Sequence, residues 1–164
     1  MKKQKLSILL LAIAALTFTQ CKKDDTSVAV PPKNYSEIKM SDIQGKETVM
    51  ATANIAATNS TGVLWQPGDV YVFKTNENRY GKFQVVSIDG AANYKLTIKA
   101  TVYNADGTEK LSNDAVAIDG TFSCDLDLLV ETLGGVGDFI WGRATTTDTF
   151  FEPANGAKFI QYTF

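Results

Sequence analysis

The 164-residue chain contains no histidine. That absence removes Ser-His-Asp and Cys-His activation of a nucleophile, histidine-ligated zinc, and the commonest general base at neutral pH. No basic cluster is present, and 16 Lys and Arg stand against 18 Asp and Glu. A nucleic-acid surface needs concentrated Lys and Arg to displace phosphate counterions, so no nucleic-acid partner is expected. No run reaches the roughly 18 apolar residues of a membrane-spanning helix. There is no tandem repeat and no sign of a second domain. Without histidine, hydrolysis falls to pairs of carboxylates, as in glycosidases. The glutamates are Glu37, Glu47, Glu77, Glu109, Glu131 and Glu152, beside twelve aspartates. Most of these aspartates sit next to Gly or Asn or in turns, where a carboxylate caps a backbone N–H. No catalytic residue is therefore assigned.

What is present begins with a patterned N-terminus. Lys2, Lys3 and Lys5 precede an uncharged, mostly apolar run of 13 residues, Leu6 to Phe18. As a helix that run would span roughly 20 Å, short of a bilayer core of about 30 Å. A positive start, a short apolar run and a following cysteine make residues 1–20 a signal peptide. The segment Thr17-Phe18-Thr19-Gln20-Cys21-Lys22-Lys23-Asp24-Asp25 resembles the lipobox region of bacterial lipoproteins, with Gln20 where Gly, Ala or Ser is usual. The resemblance implies cleavage before Cys21, lipid on its sulfur, and an outer-membrane anchor. Lys23, Asp24 and Asp25 resemble the acidic signal that sends lipoproteins of the Bacteroidota to the outer face of the outer membrane. On that reading the 16 basic residues fall to 13 against 18 acidic ones, a net charge of −5. Cys124 is then left alone, and its alternating register makes it a buried small hydrophobe.

Residues 21–36 carry charges, Pro31-Pro32 and small polar side chains, and read as a lipidated flexible tether. From about Glu47 the hydrophobic period becomes two. Tyr94, Leu96, Ile98, Ala100 and Val102 alternate with Lys95, Thr97, Lys99 and Thr101, which predicts a half-buried strand. Lys82 to Ile88 alternates with a slip at Val85-Val86, the signature of a bulge. Val70–Thr75 and Lys158–Phe164 are further strands, and Phe122 to Leu128 alternates as well. Turns are expected at Asn76–Arg79, Asp89–Asn93, Asn104–Gly107 and Asp119-Gly120, and one or two helical turns over Leu128–Leu133. Seven or so short strands predict an all-β fold, a single antiparallel sandwich or barrel-like domain over residues 37–164.

Trp65, Tyr80 and Trp141 are the candidate ligand-binding residues. The two tryptophans sit beside glycines at strand ends, and all three offer flat faces for stacking on sugars, with Phe150 and Phe151 nearby. Asp125 and Asp127, two apart on a predicted strand, share a face. With Asp119 or Asp138 they have the oxygen chemistry for Ca²⁺, but the pattern is no EF-hand loop. Solvated aspartates are the expectation, and no metal or cofactor is assigned. Val72-Phe73-Lys74-Thr75 with Arg79-Tyr80-Gly81-Lys82-Phe83 resembles a hairpin of the HmuY-like haem-binding lipoproteins. That family holds haem through axial side chains, usually histidines. Here only Met40 and Met50 offer substitutes, and no haem ligand is carried over. The expected function is a non-enzymatic surface module for a ligand, with a glycan or a membrane protein as partner. The alternatives are an assembly role in an outer-membrane complex and a carboxylate-based hydrolase.

Overall fold

The alternation along residues 94–102 becomes the strand Lys95–Tyr103. Leu96, Ile98, Ala100 and Val102 are fully buried, whereas Lys95, Thr97 and Lys99 are only partly covered. The strand pairs antiparallel with Tyr80–Asp89 and with Glu109–Ile118. The slip at Val85-Val86 is a bulge: the register shifts between Val85 and Ser87, which turns Val86 outward. The computed structural model describes residues 34–53, 55–59, 62–63, 65–143 and 148–163. Residues 1–20, expected to be a signal peptide, and Cys21, Lys23, Asp24 and Asp25 lie outside the described residues.

The described strands, in chain order, are β1 (Ile55–Asn59), β2 (Gly62–Val63), β3 (Val70–Lys74), β4 (Tyr80–Asp89) and β5 (Lys95–Tyr103). They continue with β6 (Glu109–Ile118), β7 (Phe122–Asp125), β8 (Val130–Thr132), β9 (Phe139–Arg143), β10 (Thr149–Pro153) and β11 (Lys158–Gln161). They form a six-stranded sheet, β2-β1-β10-β9-β7-β8, and a five-stranded sheet, β11-β3-β4-β5-β6, with every pairing antiparallel. The all-β expectation holds as a sandwich, and the described strands form no closed barrel. The strands outnumber the seven or so expected because pieces as short as β2 and β8 are too brief to show a period and because the ten-residue β6, exposed over most of its length, lacks one.

Between the sheets lies an aromatic core. Phe83 stands 5.2 Å from Tyr71 and 5.8 Å from Trp65 between ring centroids, and Phe139 stacks on Phe151 at 4.4 Å. Such pairs add about 0.5–1.5 kcal/mol each beyond their area. Each sheet carries one aromatic ring laid over a glycine of the neighbouring strand. Phe73 faces Gly81 and Phe150 faces Gly142 in register, and a Cβ on either glycine would collide with that ring. Cys124 is buried in the same core, and desolvation holds its thiol pKa well above the ordinary value.

The outer face of the five-stranded sheet is covered too, which corrects the expected tether boundary at residue 36. Tyr35, Ile38, Ile43 and Met50 pack over Val70, Val72 and Tyr103. Asn34 and Glu37 cap a 3-10 turn at Tyr35–Glu37, the Asn34 side chain accepting from Ser36 N–H at 3.0 Å and Glu37 from Asn34 N–H at 2.8 Å. Helix α1 (Met40–Gln44) and a second 3-10 turn at Glu47–Val49 follow, so the first expected strand residues are not extended. Ala51 then bridges to Phe159 of β11. The domain therefore begins by Asn34.

Residues Leu128–Leu133 are not helical. Asp125 accepts from Leu128 N–H at 3.1 Å, Leu129 adopts a left-handed φ of 54°, and the chain returns as β8 beside β7.

Candidate functional site

Two hairpin turns and α1 meet at one end of the five-stranded sheet. In the β3–β4 turn, Thr75 N–H donates to Arg79 O at 2.7 Å and Asn78 N–H to Thr75 O at 3.0 Å. Asn78 has φ of 64°, a conformation asparagine tolerates better than most residues. In the β5–β6 turn, Gly107 N–H donates to Asn104 O at 3.0 Å, and Asp106 accepts from Thr108 N–H at 2.9 Å. Those hydrogen bonds from Thr108 hold the Asp106 carboxyl below its ordinary pKa.

These turns and α1 enclose an open cleft of about 320 Å³. Tyr80 and Met40, both half-buried, line it together with Tyr103, which is 9% exposed. Gln44, Asn78 and Asn104 bring amides, which both donate and accept. Arg79 pairs with Glu77 inside the lining. The Tyr80 hydroxyl is fixed on Glu47, which Lys74 also holds at 2.6 Å. Hydrogen bonds from Lys74 and Tyr80 lower the Glu47 pKa.

Of the three aromatic candidates, only Tyr80 lines this cleft. Trp65 and Trp141 are 1% and 0% exposed, so neither presents a face to a ligand. Trp65 stacks on Tyr71 at 4.5 Å, and Trp141 donates its indole N–H to Tyr94 O at 2.6 Å. Adjacent glycines suggested open strand ends. The sandwich closes over both indoles, which lie 5.6 Å apart in the core, with Phe151 5.2 Å from Trp65. Sequence reasoning missed Arg79, Asn104 and Gln44, which only the turn geometry brings together.

Beneath the β3–β4 turn lie the aspartates. Carboxylate oxygens of Asp125, Asp127 and Asp138 fall within 4.8 Å of one another. They are not the solvated strand face expected. β7 ends at Asp125, and Asp127 and Asp138 are 3% and 0% exposed. Arg79 holds Asp127 at 2.7 Å, with Thr75 Oγ1 at 3.2 Å. Asp138 accepts from Asn76 N–H at 2.7 Å and Leu126 N–H at 2.8 Å. The trio has the oxygens for a hard cation. Its hydrogen bonds tie the two sheets together, with Arg79 reaching from that tie into the cleft, while Asp127 Oδ2 is buried without a hydrogen-bond partner among the described residues.

Burial raises the Asp138 pKa from 3.8 to about 6, against the pull of its two backbone donors. A pKa raised on folding means that the folded protein holds the proton more tightly between 3.8 and about 6. This group's stabilising contribution is full below the ordinary value and is lost as pH rises through about 6. The Asp138 carboxyl carbon is thus expected to titrate near pH 6 by NMR, and Asp138→Asn to flatten stability against pH across that interval. A midpoint in the ordinary aspartate range would contradict this.

No family model, curated protein or solved structure matches the chain.

Proposed function

We propose that the domain is a non-enzymatic module that binds a neutral glycan, displayed on the outer membrane by lipid on Cys21, with Lys23, Asp24 and Asp25 directing it to the outer face. The observation that carries the binding reading is the cleft between Tyr80, Tyr103 and Asn104. Sugar hydroxyls both donate and accept, and three amides with an Arg79–Glu77 pair offer both functions. Tyrosine rings receive the apolar face of a pyranose. Among the described residues lining the cleft, Glu77 is the only acid, whereas glycoside hydrolysis needs two flanking carboxylates.

The test is calorimetric titration of the full chain in detergent with a panel of neutral oligosaccharides. Saturable binding is expected, weakened about tenfold by Tyr80→Ala or Asn104→Ala and unchanged by Trp141→Phe. No binding by any panel member, or binding indifferent to both cleft variants, refutes the reading.

A second reading, assembly with a membrane-protein partner, has its own observation. Leu128, Val130, Leu133 and Val136, in β8 and the segments flanking it, are 59%, 44%, 75% and 61% exposed. Exposed apolar side chains concentrated in one segment favour a protein contact. Leu133→Lys separates the two readings, because it should leave glycan binding intact.

A further inference from the structure

Lys82 is 4% exposed, on the outer face of β4 beneath the N-terminal cover. Its ammonium donates to Tyr35 O and Ile38 O, both at 2.7 Å, and lies 4.6 Å from the Tyr35 ring centroid and 5.8 Å from that of Tyr103. All of these contacting partners are neutral: the carboxylates of Glu109 and Asp42 act on Lys82 through space, opposed by Lys99, and no described carboxylate forms an ion pair with it. A buried ammonium ordinarily has a counter-charge, because desolvation is expensive. Two carbonyls and two aromatic faces offset part of that cost, and an ammonium has a third donor.

Lys82 is also part of the wall of a groove of about 280 Å³, separate from the cleft but sharing Tyr103 with it. Lys99, on β5, lines the same groove, with its ammonium 5.6 Å from the Tyr35 centroid. The floor is set by a hydroxyl chain. Tyr35 O–H donates to Thr101 Oγ1 at 3.0 Å, Thr101 and Ser112 hydroxyls meet at 2.7 Å, and Ser112 O–H donates to Ala100 O at 3.2 Å. Lys99 has a partner in Asp114 at 2.7 Å, but that carboxylate is 81% exposed, where water and salt screen the pair.

We infer that this groove binds a small oxyanion, a sulfate, phosphate or carboxylate group, drawn by the Lys82 and Lys99 ammonium groups that line it together, neither of which has a buried carboxylate in direct contact. Lys99 is the second cation, and Thr101 and Ser112 line the groove beside it. Glu109 also lines the groove and opposes an anion, so its removal should act in the reverse direction. The inference does not rest on the neutral cleft, since free anions test it without any sugar.

The full chain, purified in detergent, is titrated with sodium sulfate and with sodium phosphate at an ionic strength held constant by sodium chloride. Saturable NMR shifts at Lys99, Thr101 and Ser112 are expected. Lys99→Gln should weaken binding about fivefold, and Glu109→Gln should tighten it by a similar factor. Lys82→Met should abolish binding in a protein whose thermal midpoint shows that it still folds. The Lys99 and Glu109 variants leave Lys82 and its contacts with the cover in place and carry the test by themselves. A sulfated oligosaccharide compared with its desulfated counterpart distinguishes the sources. Preference for the sulfated sugar over free sulfate places the anion on a glycan, and equal binding of the two sugars beside saturable free sulfate makes the free ion the ligand. Shifts linear in anion concentration, or constants unchanged in both Lys99→Gln and Glu109→Gln, overturn the inference.

Discussion

Leu96→Asp is expected to destabilise the domain by roughly 4 kcal/mol or more, because it places an unpaired carboxylate in an apolar interior. Leu96 is 0% exposed, paired in register with Ile88 on one side and Ile118 on the other. A domain of ordinary stability has only about 5–15 kcal/mol in total, so this one change would leave a large unfolded fraction. The neighbouring Lys95→Asp is the control. Lys95 pairs with Asp119 at 3.2 Å with both side chains over 40% exposed, and an exposed pair contributes about 1 kcal/mol at most. Urea unfolding followed by tryptophan fluorescence reads both variants, since Trp65 and Trp141 are buried in the same core. Equal losses from the two substitutions would mean that the faces of β5 are wrongly placed.

Cys21→Ala should abolish incorporation of labelled palmitate and leave an uncleaved or soluble product. The effect is expected to be all-or-none because the proposed anchor is covalent. Each buried methylene contributes about 0.8 kcal/mol, so two or three chains hold almost permanently where one binds reversibly. In the same cells, added protease should remove the wild-type domain and spare a variant with Lys23, Asp24 and Asp25 all changed to Ala. Labelling that persists in Cys21→Ala would end the lipid-anchor proposal. A wild type protected in intact cells but digested in lysates would place the domain in the periplasm.

The sandwich was legible because β5 alternates without error and because the bulge at Val85-Val86 breaks the alternation of β4 by one residue. By contrast β6, as long as β4, is largely exposed over residues 109–115 and gives no such signal. The N-terminal cover was not. Tyr35, Ile38, Ile43 and Met50 belong to pieces of three and five residues and their connections, too short for a helical period to emerge. The cover also hides Lys82, Thr101 and Tyr103, which in sequence look like the water-facing half of two strands. Alternation tells which residues share a face, not what lies upon it. The two tryptophans show the same limit. A glycine neighbour suggests openness, yet in Gly142 it marks the place where a ring presses against the sheet. Asp125 and Asp127 looked like one strand face only because nothing local signals that Leu129 turns left-handed.

The way the cover is fastened decides how the domain responds to force. A pull applied at Asn34 reaches the Tyr35 and Ile38 carbonyls held by Lys82 first, then Glu47 with Lys74 and Tyr80, and last the bridge from Ala51 to Phe159. These attachments are loaded one after another, and serial peeling needs less force than shearing many strand hydrogen bonds together. Under load the outer layer should come away as a sub-global unit while the sandwich stays closed, so that residues 34–51 act as a mechanical fuse.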